Sequence, residues 1–308
     1  MIQTYKPSNR VSLIGLIGLA LTVLSGGVAL GIGAGYISRY VWVILLFPLI
    51  VGGVAGGMLA FMIKRLHLRN PGVALFAGLL MGTLCFGAFH SIEYMEFRSE
   101  MVAAVIKEDP ASEPAQIESF IDFSLQEETG SSGIIGYFKL MAREGISLRI
   151  GKGNAKLALH GTLAWIYWAI EFLIFIAFPA LVALNGADEP YCEQCRRWYG
   201  EEAYLGSVQL ANTENFLALL QSGASGGAAT LLGGASIELP RASVYLRSCR
   251  QPGLHASHLS VTKQSLSGKG ETYSEPLLSG LISPQIASEL RRTNTQPAEG
   301  VAGMAQTG

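Results

Sequence analysis

Residues 11–36 read VSLIGLIGLALTVLSGGVALGIGAGY, a stretch of apolar and small residues without a single charge. At a rise of about 1.5 Å per residue, an α-helix of this length crosses a hydrocarbon core of about 30 Å. Three further apolar runs follow at 41–63, 72–92 and 161–184. The sequence therefore predicts an integral membrane protein whose main fold class is a four-helix transmembrane bundle.

The overall composition supports this interpretation and excludes other classes of protein. Of the 308 residues, 50% are hydrophobic and 15% are charged, whereas a soluble domain carries about 25% charged residues. The net charge of −1 provides no basic field for nucleic acid. Four cysteines are too few for a disulfide scaffold. The composition thus predicts the lipid bilayer as a partner and indicates no nucleic acid.

The loop at 64–69 decides the predicted orientation. It reads KRLHLR and is the most basic short loop in the chain. Short loops rich in Lys and Arg stay in the cytoplasm. Alternation of the four spans then places both termini in the cytoplasm and segment 93–160 outside it. The expected location is the cell membrane, inner or plasma, which the chain crosses four times.

Glycines spaced four residues apart mark three of the predicted spans. They are Gly27, Gly31 and Gly35 in the first span, Gly52, Gly53, Gly56 and Gly57 in the second, and Gly78 and Gly82 in the third. Glycines at this spacing share one helix face and let another backbone approach closely. We expect either tight packing within one bundle or, on the doubly marked second helix, contact between the copies of a homo-oligomer.

Glu171 lies near the middle of the fourth run. An acidic residue at the centre of a membrane costs about 2.5–3.5 kcal/mol on insertion scales, and it indicates a functional site by default. A proton or ion relay would use such a group, which would make the protein a small oligomeric transporter or channel. The alternative is a structural carboxyl that is protonated and hydrogen-bonded to a neighbouring helix, or that faces a water-filled groove.

The segment at 93–160 is predicted to be helical, with one hairpin. Turn-forming residues separate three helical patterns from one another and from two short strands of alternating hydrophobicity. The helical patterns cover 96–107, 114–128 and 133–144, and the strands 147–150 and 156–159 flank the turn 151–154.

One set of side chains is expected at the outer membrane face. His90 and Glu93 share a helix face because they lie three residues apart, and His160 opens the fourth helix at the same membrane depth. Two imidazoles and a carboxylate can hold a divalent metal. Such a site would support metal-assisted hydrolysis by a membrane enzyme, while the alternative is a pair of interfacial histidines bonded to water or headgroups.

Residues 191–199 read YCEQCRRWY and contain the sharpest local motif of the chain. A Cys-x2-Cys turn presents two thiolates to one tetrahedral zinc ion. A second half-site follows the strand-like residues 242–248, where Cys249 precedes a turn and His255. His258 is the alternative fourth ligand.

The arrangement of Cys192, Cys195 and Cys249 resembles a zinc ribbon, in which Cys-x2-Cys knuckles cap two hairpins. Pro252 occupies the place of the fourth ribbon cysteine, so the resemblance is to a degenerate ribbon. It implies either a bound zinc ion or a decayed site that binds no metal. Redox chemistry is a third interpretation, but no βαβ pattern typical of a thioredoxin-like pair follows.

The motif belongs to a predicted small α+β domain in the cytoplasm, residues 185–292. Helical patterns and strand signals alternate through it. The helices are expected at 213–221 and 284–292, and the strands at 242–248, 258–266 and 271–278. The polar residues 293–308 are predicted to be a disordered tail.

No catalytic or cofactor-binding motif accompanies these features. We find no phosphate loop, no HExxH motif and no Ser/His/Asp set, so enzymatic activity is not indicated. We expect a membrane-anchored interaction or regulatory protein, whose bundle holds the zinc-ribbon-like domain where it meets an unknown cytoplasmic protein. A transporter or channel that uses Glu171 is the alternative, and a membrane metalloenzyme is the third hypothesis.

Overall fold

A computed structural model describes residues 2–40, 45–111, 113–149, 156–233, 238–249, 254–268 and 270–295. The chain divides into two compact units, which we call the bundle unit, Ser8–Asp188, and the sheet unit, Met1–Pro7 with Glu189–Gly308. The sheet unit begins with a two-residue strand, β1 (Gln3–Thr4), which precedes every helix in the chain.

The bundle unit contains six helices among the residues that the structure describes. In chain order they are α1 (Leu13–Ser38), α2 (Leu46–Arg65), α3 (Pro71–Glu108), α4 (Pro114–Thr129), α5 (Gly133–Glu144) and α6 (Thr162–Asp188). Helices α1, α2, α3 and α6 are long and apolar enough to span a membrane. The prediction of four membrane-length apolar helices is therefore confirmed.

Capping side chains explain where two of the long helices begin. The Ser12 hydroxyl accepts a hydrogen bond from the Gly15 amide at 3.0 Å, and the Asn70 side chain accepts one from the Val73 amide at 3.0 Å. Both side chains satisfy amides that have no partner within the first helical turn. Pro71 adds a preset backbone angle at the first position of α3.

Two helices are longer than the sequence pattern suggests. Helix α3 runs for 38 residues without a break, so the predicted span 72–92 and the predicted short helix 96–107 are one element. No Gly or Pro lies between residues 92 and 96, and a helix continues where nothing interrupts it. Helix α6 likewise continues to Asp188, past the expected end at 184.

The glycine faces of α1 and α3 are used for packing inside the bundle. A Cβ added at Gly31 would collide with the carbonyl oxygen of Cys85. One added at Gly82 would collide with the carbonyl oxygen of Phe175 in α6. Gly57 in α2 differs, because a Cβ added there meets nothing within 4 Å among the described residues. The close approach of helix backbones thus depends on some of the predicted glycines and not on all of them.

A hairpin and two shorter helices complete the bundle unit. Strands β2 (Ile146–Arg149) and β3 (Lys156–Leu159) are antiparallel, with Ile146 paired to Leu159. The turn predicted at 151–154 lies outside the described residues. Helix α4 packs against α3 and α5 through the buried side chains of Ile117, Ile121 and Leu125.

The sheet unit is built on five antiparallel strands in the order β1-β9-β8-β7-β6. Its remaining elements follow one another along the chain. They are β4 (Tyr191–Cys192), β5 (Arg197–Trp198), β6 (Ala203–Gln209), α7 (Thr213–Ser222), α8 (Ser225–Thr230), β7 (Arg241–Arg247), β8 (Ser257–Leu266), β9 (Thr272–Ile282) and α9 (Pro284–Thr295). The predicted small antiparallel sheet is confirmed.

The core of this unit lies between the sheet and its helices. Val244 and Val261 on the central strands are fully buried, as are Phe216 of α7 and Leu290 of α9. Burying each such side chain contributes about 1.5–3 kcal/mol. Helix α9 extends into the region predicted to be a disordered tail, and residues 296–308 lie outside the described part of the chain.

Two strands of the sheet were not predicted. Strand β6 carries Gly206 at a positive φ of 143° and a register shift beside it, so its sequence does not alternate cleanly. Strand β1 adds to the edge of β9, with Gln3 opposite Leu281 and Thr4 opposite Gly280. This pairing joins the segment before α1 to the domain that follows α6.

Candidate metal centre

The first half of the candidate site is a very short hairpin. Strands β4 and β5 pair Cys192 with Arg197 and Tyr191 with Trp198, and Cys195 lies in the turn between them. Arg196 adopts a positive φ of 51°, a left-handed conformation that closes the turn at some steric cost. The hairpin therefore brings the two cysteine side chains of the Cys-x2-Cys motif close together.

The second half of the site comes from the hairpin between β7 and β8. Arg247 pairs with His258 where the two strands meet this end of the sheet. Cys249 lies just after β7, and His255 lies just before β8. The strand register brings these two residues together although they are separated along the chain.

Four ligand atoms meet where the two halves approach each other. The side chains of Cys192, Cys195, Cys249 and His255, here called the knuckle group, place one ligand atom each within 4.8 Å of all the others. The Nδ1 atom of His255 lies 2.9 Å from the Cys195 sulfur and 3.6 Å from the Cys249 sulfur. Around a tetrahedral zinc ion, sulfur and nitrogen ligands are roughly 3.5 Å apart and two sulfurs roughly 3.8 Å apart. The group thus fits one zinc-sized ion after small side-chain shifts.

The knuckle group is largely buried, and a hydrogen bond links the segments around it. Cys192 and Cys249 are buried, and Cys195 and His255 are half-buried. The Tyr199 hydroxyl donates a hydrogen bond to the carbonyl oxygen of Ala256 at 2.8 Å. This bond ties the first hairpin to the segment that carries His255.

The N-terminal segment also supports the first hairpin. The Tyr5 hydroxyl accepts a hydrogen bond from the Tyr191 amide at 3.1 Å and donates one to the carbonyl oxygen of Glu189 at 3.4 Å. Neither Tyr5 nor Tyr199 was among the predicted site residues. Tyr199 follows the second cysteine of the motif closely, so the sequence did indicate that it would lie near the site. No sequence feature near Tyr5 indicates its role.

The thiol of Cys195 is a poor acid in the absence of a metal ion. Burial, together with the neighbouring Cys249 and Cys192 thiols, raises the pKa of Cys195 to about 12. A low-pKa redox cysteine is often found at a helix N-terminus, whereas Cys195 lies in a hairpin turn. The raised pKa disfavours a free Cys195 thiolate, and a bound metal ion would favour its deprotonated form.

Comparison with family models, with curated proteins and with solved structures gave no match to this chain. Its function must therefore be inferred from its own residues.

His258, the alternative fourth ligand in the sequence, lies outside the knuckle group. Its Nε2 atom is 2.9 Å from the Ser279 hydroxyl, and the Tyr5 ring packs edge-on against it at 5.7 Å. Burial, followed by the charge of Arg247, lowers the pKa of His258 to about 4. His258 points away because strand pairing opposite Arg247 fixes its face of the sheet, so His255 is the imidazole available to a metal.

The residues predicted at the outer membrane face do not assemble as expected. His90 and Glu93 do interact, with 2.6 Å between Nδ1 and Oε2. His160 is exposed instead, and its Nδ1 atom lies 3.3 Å from the carbonyl oxygen of Arg143. His160 lies between strand β3, which ends at Leu159, and a turn at Gly161, whose φ is 57°, so it is not part of the helix as the sequence suggested. Within the described residues, the knuckle group is the one set of three or more ligands close enough for a metal ion.

Glu171 takes the position that His160 was expected to occupy. One of its carboxylate oxygens lies 3.4 Å from His90 Nε2, and its side chain is 1% exposed. We call His90, Glu93 and Glu171 the bundle group. It joins two features that the sequence presented as unrelated, an intramembrane acid and a His/Glu pair.

Proposed function

We propose that the chain is a membrane-anchored interaction or regulatory protein, whose four-helix bundle holds a zinc-stabilised domain at the cytoplasmic face. The knuckle group carries this proposal. Three cysteines and one histidine supply four ligands, which completes tetrahedral coordination. A zinc ion with no open position stabilises a fold and activates no water. The proposal therefore assigns the domain a binding role and no catalytic one.

The pairing of β1 with β9 supports the proposed topology. Gln3 precedes the first membrane-length helix, and Leu281 follows the fourth. Two strands can pair only on one side of a bilayer, and four spans return the chain to that side. In the proposed topology the basic residues at 64–69 lie on the same side by alternation, and the positive-inside rule supports assigning that side to the cytoplasm. Thiols remain reduced there and can bind zinc.

The experiment that tests the zinc proposal is metal analysis of the full-length protein purified in detergent. We expect about one zinc ion per chain in the wild type and none in Cys192→Ser/Cys195→Ser. The matched control is Cys85→Ala, because Cys85 is the remaining cysteine and is buried in α3. Zinc that survives the double substitution, or a wild type without zinc, contradicts the proposal.

A reporter experiment tests the topology separately. A cytoplasm-active fluorescent protein fused after residue 308 should fluoresce, and an export-dependent phosphatase inserted at residue 112 should be active. The reverse pattern would show that the sheet unit lies outside the cytoplasm. Glycosylation or export of the fused C-terminus would exclude the proposed cytoplasmic partner.

A transporter or channel remains the second candidate because of the bundle group. A cavity of about 470 Å³ is lined by His90, Glu93 and Glu171, together with Arg39 and Tyr167. An ionisable residue in a membrane span that faces a cavity is typical of an ion pathway. Flux assays on vesicles containing the purified protein separate the two functions. A cation flux that Glu171→Gln abolishes would favour the transporter.

A further inference from the structure

Several buried polar atoms in the bundle cavity have no hydrogen-bond partner among the described residues. They are the Nε2 atom of His90, both carboxylate oxygens of Glu171 and the hydroxyl of Tyr167. His90 is 3% exposed, Glu171 is 1% exposed and Tyr167 is 8% exposed. Leaving such groups unsatisfied is unfavourable, and more so for charged groups. Because these residues line one cavity, their unsatisfied atoms point to a single ligand that contacts all of them.

Glu93 determines which atom His90 presents to the cavity. The 2.6 Å separation between Glu93 Oε2 and His90 Nδ1 is that of a hydrogen bond donated by Nδ1–H to a carboxylate. In this tautomer the Nε2 lone pair is free to accept or to coordinate. A carboxylate on the distal ring nitrogen is the usual partner of a metal-binding histidine.

The distance between His90 and Glu171 matches that of two ligands on one ion. Nε2 and the nearer Glu171 oxygen are 3.4 Å apart, and these atoms do not form an aligned hydrogen bond. Ligand atoms about 2.1 Å from an ion and separated by the tetrahedral angle are roughly 3.4 Å apart. The two side chains are thus already spaced to coordinate a metal between them.

The surroundings hold the histidine in place and provide no Lys or Arg for the two carboxyl groups. Aromatic rings of Phe86, Phe89 and Phe138 pack against the imidazole, with centroids 4.3, 4.8 and 5.1 Å away. Among the described residues that line the cavity, the one Lys or Arg is Arg39, and it pairs with Glu96 at 3.1 Å. The carboxylates of Glu93 and Glu171 therefore have no Lys or Arg beside them.

We propose that a divalent transition-metal ion binds between His90 Nε2 and the Glu171 carboxylate, with Glu93 as the residue that orients the imidazole. An imidazole with a carboxylate suits ions such as Zn²⁺ or Mn²⁺. The cavity has room for water molecules or an exchangeable ligand at the remaining positions. This site is independent of the knuckle group, because it uses none of the same residues.

The test uses full-length protein in detergent whose knuckle group is already loaded with zinc. Mn²⁺ is the probe, because thiolate sites prefer zinc to manganese and because free Mn²⁺ can be counted by electron paramagnetic resonance. We expect one saturable Mn²⁺ site per chain, which Zn²⁺ displaces. Glu171→Gln should abolish it, and Glu100→Gln should leave it unchanged, because Glu100 is an exposed residue of the same helix as His90.

Pulsed spectroscopy separates the coordinating role of His90 from the positioning role of Glu93. The bound Mn²⁺ should show a coupling to an imidazole nitrogen, which His90→Gln removes. Glu93→Gln should keep that coupling and weaken binding by roughly 10- to 100-fold, the usual effect of losing an outer-shell partner. Size-exclusion chromatography and zinc content establish that each variant is folded.

Two results would overturn the proposal. One is the lack of a saturable Mn²⁺ or Zn²⁺ site beyond the knuckle group in the folded wild type, which would make the bundle group a simple ion-pair network. The other is binding that survives Glu171→Gln or His90→Gln. Neither result affects the zinc content predicted for the knuckle group, so failure here is distinguishable from failure of the proposed function.

Discussion

The knuckle group and the bundle group each contain one imidazole nitrogen, but they differ in their other ligand atoms and in the number of open coordination positions. The knuckle group offers three sulfurs and one nitrogen on two hairpins, which complete a tetrahedron. The bundle group offers one nitrogen and one carboxylate toward a cavity, with Glu93 behind the imidazole. A closed set holds its ion for the lifetime of the fold, while an open set can exchange its ion. The predictions below test this contrast and the packing on which each group depends.

Removal of zinc by a chelator should have the largest effect, and that effect should be confined to the sheet unit. Structural zinc sites contribute about 10–16 kcal/mol of apparent binding free energy at neutral pH. We expect hydrogen exchange to accelerate by orders of magnitude in β7 and β8 and to remain slow in α3 and α6. Added Zn²⁺ should restore protection. Equal acceleration in both units would mean that the two groups are not separate.

Gly82→Ala should destabilise the bundle unit by about 1–3 kcal/mol through overpacking. The added methyl group meets the backbone of Phe175 in α6, which cannot move aside as a flexible side chain would. The matched control is Gly57→Ala, whose methyl group meets nothing within 4 Å. Unfolding in increasing ratios of SDS to mild detergent measures both. Similar midpoints for the two variants would show that α3 and α6 do not pack this closely.

Acid should weaken the sheet unit through His258, by about 2 kcal/mol between pH 7 and pH 5. The folded state keeps this imidazole neutral because burial lowers its pKa to about 4, while the unfolded chain binds a proton near pH 6.5. The unfolded state therefore gains protons as the pH falls, and stability falls with it.

Urea unfolding of zinc-loaded wild type and His258→Gln at both pH values measures whether the stability falls as the pH is lowered. The variant should lose less stability than the wild type. His67→Gln serves as the control, because His67 is an exposed residue of the bundle unit. A pH dependence that is identical in all three proteins excludes His258 as the titrating group.

Tyr199→Phe should have the smallest effect, a loss of about 1 kcal/mol in the stability of the sheet unit. It removes the hydrogen bond to Ala256 next to the knuckle group without removing a ligand, so zinc content should stay at one per chain. Tyr273→Phe on the exposed side of β9 is the matched control. Loss of zinc from Tyr199→Phe would mean that the tyrosine does more than tie the two hairpins together.

Much of the fold could be predicted because its signals are local. Apolar runs longer than a bilayer is thick define the four long helices, and a Cys-x2-Cys turn defines its own geometry. Helix ends were less certain, since α3 continues past residue 92 with nothing to stop it. The choice between His255 and His258 required the strand register, which places His258 opposite Arg247.

The remaining contacts join residues that are far apart in the sequence, and no local sequence pattern predicts them. The pairing of Glu171 with His90 depends on how α6 is rotated against α3, and a hydrophobic run shows only that both helices are apolar. The expectation that His160 lies beside His90 rested on their similar depth along the predicted helices, because the sequence does not show which way each side chain faces. Tyr5 and β1 lie in a short polar segment whose partner strand is at the other end of the chain.

The pairing of β1 with β9 also sets an order of events during synthesis. Gln3 leaves the ribosome long before Leu281, its partner in the sheet, by roughly a quarter of a minute to a minute at usual elongation rates. In that interval the four membrane-length apolar helices are synthesised while strand β1 has no partner strand. The sheet closes only when translation is nearly finished. Completion of the five-stranded sheet therefore requires that all four apolar segments between its two ends have already been synthesised.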